Sequence, residues 1–433
     1  MRANPTGPAL PQIQEAAQRY SEKARRHLAG LVRDAGPQGL PFSRWMHAAL
    51  YDPQTGYYAG APLKFGNTQA APGTSLEGDF VTAPELSPWF GRALAQQIGP
   101  ILASVGTPHI LEFGAGSGAL AEQLLQSLLP QFPDLQYHIL DISPDLTRRQ
   151  RERLASFGSS VQWIDSLPDA FRGCVVANEV LDAMPVSLFE WGTDERLYEL
   201  NVVIASDSQT GAASGNINEQ QATHPDTELD HASDAELSDA EVPDAFEFLR
   251  IPADPALQEK ISSRMPALPG YRSEVNLQAE SWVTGMGQWL EAGVALLIDY
   301  GFPQHEYYHP QRSEGTLMCH LLHHAHSHPL AYPGIQDITA HVDFTAMADA
   351  AVDGGLEILG YTTQARFLLN CGLLDMLGTL NPEDTADYAR QVGPVQKLLS
   401  EAEMGELFKV LAVGKNVDMD LAGFAVGDRR HRL

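Results

Sequence analysis

Ile110, Leu111 and Phe113 form a short apolar run that enters a glycine-rich stretch; Leu120, Leu124, Leu125, Leu128 and Leu129 follow at helical spacing. The change from a compact run to a 3.6-residue period predicts a strand, a tight turn and a helix. The alternation continues: residues 137–140 are predicted as a strand ending at Asp141, 144–157 as a helix, 161–164 as a strand ending at Asp165, and 174–177 as a strand ending at Asn178-Glu179. Residues 188–191 and 197–204 predict a hairpin. Further on, 279–288 reads as a helix, 294–298 as a strand ending at Asp299-Tyr300-Gly301, 343–351 and 362–374 as helices, and 407–413 as a closing strand packed beside the sheet. Residues 302–336 read as long and irregular. Strands alternating with helices predict an α/β fold with a doubly wound, mostly parallel sheet.

The first hundred residues lack this rhythm. Residues 12–35 predict an exposed helix. Ser43 is placed to cap a short helix carrying Trp45, Met46, Ala49 and Leu50, which Asp52-Pro53 stops. Tyr51, Tyr57 and Tyr58 crowd its end; a packed helical arm is preferred over a lid. Residues 61–78 are Gly- and Pro-rich and predict a loop. Thr82-Ala83-Pro84-Glu85 then reads as a helix start, with the helix over 85–98.

Residues 206–246 hold almost no large apolar side chains and predict a mobile insertion between two strands. The expected division is thus an arm and lid over 1–100, a ligand-binding core over 101–205, the acidic insertion over 206–246, and the rest of the sheet with its cleft elements over 247–433.

Charge changes the picture locally. The formal net charge is −27, and residues 207–247 carry eleven acids and no Lys or Arg. Without them 44 acids face 28 bases, still −16, so nucleic acid is a poor candidate partner. No apolar run approaches the ~20 residues of a membrane span. Cys174, Cys319 and Cys371 are scattered with no CxxC pair, which fits a reducing compartment, and the N-terminal stretch has no apolar signal core. The expected location is the cytoplasm. His320, His323, His324, His326 and His328 match no metal-site spacing, and no acid lies among them, so no metal site is expected.

The candidate chemistry starts at Gly114-Ala115-Gly116-Ser117-Gly118, with Glu112 two residues before it. Glycines allow positive φ and close approach of a ligand to the backbone, and N–H groups at the start of the following helix can face a polar ligand. The spacing is G-x-G-x-G, not the G-x-G-x-x-G of dinucleotide enzymes. It resembles the first motif of S-adenosylmethionine (SAM) dependent methyltransferases. A glycine turn that binds nothing is the competing reading.

Ligands of doubly wound sheets sit at the carboxyl ends of the strands. Asp141 is placed to accept ribose hydroxyls, with Ser143 as the cap of the next helix. Asp165 suits an adenine amino group or caps a turn. Asn178-Glu179-Val180-Leu181-Asp182 follows the fourth strand, where methyl acceptors meet the sulfonium. On a helical turn Glu179 and Asp182 share a face, and paired carboxylates suit a guanidinium; a purely structural Asp182 is the alternative.

Beyond the glycine turn, several blocks carry a wider resemblance: residues 78–85 (GDFVTAPE), 111–118, 178–186, 270–276 (GYRSEVN), 297–301, 315–317, 337–344 (DITAHVDF) and 404–410. With them the chain resembles the MidA-like family of SAM-dependent methyltransferases, which includes the mitochondrial complex I assembly protein-arginine methyltransferase. The resemblance implies a Rossmann-like methyltransferase core with added helical elements. It implies that Gly78, Phe80, Thr82 and Pro84 close over SAM beside Glu112, Gly114, Ala115, Gly116 and Gly118, with Asp141, Ile142, Asp165 and Asn178 completing the cofactor site. Asn178, Glu179 and Asp182 are the implied catalytic residues. Arg272, Glu274, Asp299, Tyr300, His341 and Asp343 are the implied acceptor-cleft residues. The implied activity is protein-arginine methylation, with a respiratory complex I subunit as protein substrate, a homodimer left open, and a mitochondrial matrix location if the source is eukaryotic. A small-molecule methyltransferase and a non-catalytic SAM-binding assembly factor are the alternatives.

Overall fold

The computed structural model describes residues 13, 15–59, 82–205, 245–322 and 324–433. The predicted loop over 61–78, most of the predicted insertion, Gly78, Phe80 and His323 therefore lie outside the described residues.

The central sheet has eight strands: β1 (His109–Phe113), β2 (Gln136–Leu140), β3 (Val161–Trp163), β4 (Phe171–Asn178), β5 (Leu290–Phe302), β6 (Val342–Asp343), β7 (Glu357–Thr363) and β8 (Phe408–Lys415). Their order is β7-β8-β5-β4-β1-β2-β3, with β6 beside β5. Strands β3 to β5 along this path are mutually parallel. The order reverses between β1 and β4, and that reversal opens a crevice at the strand ends. The doubly wound α/β expectation holds.

Side-chain alternation assigns the two faces. Cys174 and Val176 of β4, with Val294, Leu296 and Ile298 of β5, pack under helices Pro88–Val105, Ala119–Leu128, Gln364–Asn370 and Thr385–Leu399. Val175 and Ala177, with Ala295 and Leu297, pack under Leu277–Trp289 and Phe344–Asp353. Both faces are covered, so β5 is buried almost end to end, as a central parallel strand must be.

A second, antiparallel sheet holds the predicted hairpin: Ser187–Trp191 and Leu197–Ile204 pair with each other, joined by Leu40–Pro41, Phe246–Pro252 and Arg272–Val275. The chain leaves this sheet at Ile204 and re-enters directly opposite, at Phe246. Helices Glu15–Asp34 and Phe42–Tyr51 build a separate core against it.

Several local expectations are corrected. The first helix is not simply exposed: Ala24, Leu28, Ala29 and Val32 are buried. Ser43 does not cap the second helix, whose N-cap is Pro41 with no side-chain bond. The predicted helix over 85–98 is two helices, Ala83–Leu86 and Pro88–Val105; Pro88 forces Ser87 into extended backbone, and the Ser87 hydroxyl accepts from the Trp89 N–H. The closing strand β8 is inserted between β5 and β7, antiparallel to both. Residues 357–363, partly read as helix, form β7. The stretch 302–336 holds a short helix, Gln304–Tyr307, and two strands, Met318–Leu321 and His324–His326, of a three-stranded sheet completed by Asp337–Thr339.

Candidate active site

A cavity of about 700 Å³ opens at the carboxyl ends of β1, β2 and β4. Its floor is the glycine turn. Gly114, Gly116 and Gly118 have φ of +60°, +55° and +83°, a region where a Cβ costs about 1–2 kcal/mol. A Cβ on Gly116 would meet nothing within 4 Å, so the turn presents bare backbone to open space. Gly118 does not line this space; it is the left-handed N-cap of Ala119–Leu128, packed on Gln150.

Acids stand around this floor. Glu112 is buried beneath it, accepts the Tyr137 hydroxyl at 2.8 Å, and is pushed up to about 8 by burial. Asp141, at the end of β2, accepts from the Ser143 N–H at 2.9 Å and the Gln150 amide at 2.7 Å; burial raises it. Ser143 caps the following helix as expected. Ile142 is 64% exposed and lines the mouth.

Glu179 takes φ +54° directly after β4. Its N–H bonds to Ile298 O, so β5 fixes the turn. Its carboxyl is pushed up to about 8, first by burial and then by Asp182, while the Asn178 amide and the Ala83 N–H bond to it. Asp182 accepts the Tyr300 hydroxyl through Oδ2 and is pushed up to about 6 by burial. Asp182 Oδ1 and Asn178 Oδ1 are buried with no hydrogen-bond partner among the described residues. Asn178, Glu179, Asp182 and Tyr300 all line the cavity, as do Thr82, Pro84, Glu112, Gly114, Ala115, Gly116 and Asp141.

The Ala83–Leu86 turn is fastened over the glycine turn. Glu85 bonds Ser117 and Arg153, and the Gln123 amide donates to Pro84 O at 2.8 Å.

Other expected site residues lie elsewhere. Asp165 is exposed and off the cavity wall, because β3 ends at Trp163, short of the crevice. Arg272 pairs with Glu190 at 3.0 Å on the second sheet. Glu274, two residues along the same strand, is buried and held by the Tyr307 hydroxyl and the Thr316 N–H. Asp299 sits behind the cavity and accepts the N–H groups of Leu181 and Asp182 at 3.0 and 3.2 Å, so it shapes the turn that presents Glu179 and Asp182. His341 packs edge-on against Tyr300, ring centroids 5.1 Å apart, and burial pushes it down to about 4. Asp343 caps the helix Phe344–Asp353.

The cavity also takes residues the sequence did not mark as site. His47, Tyr51, Tyr57 and Tyr58 of the arm line it, with Trp282 and Asp337. The arm, packed through Trp45, Met46, Ala49 and Leu50 as preferred above, also forms one wall of this cavity. The crowding of three tyrosines was the available signal; nothing linked it to Asp337.

A family model of S-adenosyl-L-methionine-dependent methyltransferases matches residues 93–362. Two crystal structures of a protein from Burkholderia thailandensis, one bound to S-adenosyl-homocysteine and one native, are each 41% identical, cover 98% of this chain and 100% of theirs, and align with TM-scores of 0.83 and 0.82. The mitochondrial protein arginine methyltransferase NDUFAF7 homolog of Drosophila melanogaster is 26% identical over 93% of this chain and 87% of its own. Its human counterpart is 26% identical over 90% and 82%. With that model spanning more than half of it, and with the glycine turn and strand-end acids in place, the chain belongs to the family of S-adenosyl-L-methionine-dependent methyltransferases.

Proposed function

We propose that this chain transfers a methyl group from SAM to a guanidinium nitrogen of a protein arginine. The cavity residues fit the methyl donor: bare backbone at Gly116 leaves space for an adenosyl group, Asp141 matches a ribose diol, and the orphaned Asn178 Oδ1 matches an ammonium or amide donor. When bound, SAM supplies a methyl group activated on a sulfonium.

The rest is positioning and proton handling by the chain. One observation carries the acceptor class: two carboxyls, the half-buried Glu179 and the buried Asp182, stand together at the end of β4, while Arg149 is the sole Lys or Arg on the described cavity wall. Burying acids without cations is unfavourable, and a planar cation with paired donors relieves it. A guanidinium would draw both acids toward their ionised forms. Forming the new N–C bond requires the attacking nitrogen to lose a proton, and Glu179 is placed to receive it. Orientation of nitrogen to methyl supplies most of the remaining acceleration.

In this reading residues 1–100 act as arm and lid, and 101–205 with 247–433 form the core and cleft. The substrate is a protein; a respiratory complex I subunit, implied by the resemblance, is one member of that class. A homodimer, and a cytoplasmic or matrix location, belong to the same proposal. The names of the NDUFAF7 relatives support it. The test is incubation of methyl-labelled SAM with cell extract and the protein, then hydrolysis of the labelled band. Label in methylarginine supports the proposal; label confined to small molecules replaces it with a small-molecule methyltransferase.

A further inference from the structure

The arm contributes a feature that the reaction as described does not use. Tyr51 and Tyr58 stack with ring centroids 5.3 Å apart and planes 17° apart. The Tyr58 hydroxyl donates to both Asp337 oxygens, at 3.0 and 3.2 Å. The Tyr51 hydroxyl donates to Ala183 O at 2.8 Å, one residue past Asp182. Asp337 thus anchors one ring of the stacked pair, and the turn that carries Asp182 anchors the other. The strand Asp337–Thr339 is tied to the same turn, since the Ala340 N–H donates to Asp182 O at 2.9 Å. All four side chains line the cavity.

Two further observations point to a ligand here. Asp182 is 6% exposed, and its Oδ1 has no hydrogen-bond partner among the described residues. Desolvation holds both tyrosines well above their ordinary range, so their hydroxyls stay protonated and neutral.

Resting on the arginine reading above, we infer that Asp337, oriented by Tyr58, is a second acidic arm of the acceptor pocket and sets its preference for a guanidinium over an ammonium. A guanidinium carries donors on more than one edge of a rigid plane and stacks on aromatic rings. It can bond Glu179 and Asp182 along one edge, turn another toward Asp337, and lie against the tyrosines. An ammonium is a compact point charge and cannot reach both walls at once. Asp337 is a specificity residue in this arrangement, and Tyr58 a positioning residue.

The test uses the full chain saturated with S-adenosyl-homocysteine. N-acetyl-arginine methylamide and N-acetyl-lysine methylamide are titrated as probes by calorimetry, with wild type, D337N and Y58F. Wild type should bind the arginine probe at least about tenfold more tightly than the lysine probe. D337N keeps the side-chain volume and an acceptor for Tyr58; it should lower arginine-probe affinity about tenfold to a hundredfold, as loss of a charged hydrogen-bond partner does. S-adenosyl-homocysteine affinity should stay within about twofold. Y58F should shift arginine affinity in the same direction by less, and D337E should restore part of it. A wild type that prefers arginine, with D337N and Y58F preferring it equally, overturns this assignment and leaves the arginine reading standing. Equal wild-type affinity for the two probes overturns both.

Discussion

The Gln150 side-chain amide donates to the Asp141 carboxylate at 2.7 Å and, from the same nitrogen, to Gly116 O at 2.9 Å. One buried amide thereby ties the strand-end acid to the glycine turn, and the Trp163 indole N–H holds its other end at 3.0 Å. Gln150→Ala should weaken SAM binding about tenfold, because a bond to a charged group is worth about 1.5–3 kcal/mol. Calorimetry reads this; unchanged affinity would show that Asp141 needs no such support.

Gly116 lies at φ +55° beside open space. Gly116→Val should abolish measurable SAM binding, since its side chain would enter that space. It should also destabilise the fold by about 1–2 kcal/mol through backbone strain. Binding and thermal melting measure the two effects separately. Retained affinity with lowered stability would place the cofactor elsewhere.

Glu179 combines positive φ, a half-buried carboxyl and a place on the cavity wall beside Asp182. Glu179→Gln should keep SAM affinity within about twofold yet lower turnover by about 10²–10⁴, the usual range for loss of a general base. Glu179→Gly should lose transfer and also melt higher, because relief of a strained non-glycine residue returns about 1–3 kcal/mol. Full turnover in either variant would remove Glu179 from the mechanism.

Glu112 and Glu179 are pushed up to about 8, while such groups titrate near about 4 in an unfolded chain. Between about pH 6.5 and 8 these two groups therefore keep protons in the folded state that the unfolded chain has released, and their contribution to stability falls as pH rises. His320 and His341, pushed down to about 4, and Lys409, pushed down to about 8, bind fewer protons folded than unfolded and oppose this slope, so the Glu179 part is read as the difference between wild type and Glu179→Gln. From pH 6.5 to 8 the melting temperature of the ligand-free wild type should fall relative to that of Glu179→Gln. By the same ionisation, kcat/KM for the acceptor should rise toward pH 8. An identical slope in wild type and variant would contradict this account.

The parts of the site that lie on one strand–turn–helix unit were legible. Glycines with positive φ, Asp141 at a strand end and Glu179 after β4 all follow from local pattern plus the rule that parallel strands point their carboxyl ends at ligands. Of the residues that lie off the cavity, Asp165 followed from a strand read one residue too long, and the others came from matching blocks, which carry nearness along the chain but not direction. Arg272 and Glu274 lie on one short strand away from the cavity. Asp343 carried a readable cap signal, an Asp directly before a helical run. Asp337 and Tyr58 are 279 positions apart, and only the folded chain joins them. Strand β7 was missed because Gly360 breaks its pattern; Phe424 packs over that glycine, where a Cβ would collide.

The most direct test is a crystal structure of the protein with S-adenosyl-homocysteine. The account predicts the adenosyl group over Gly114 to Gly116, the ribose on Asp141, and the sulfur facing Asn178 and Glu179. A cavity filled by the protein's own side chains, with the ligand bound elsewhere, would contradict it.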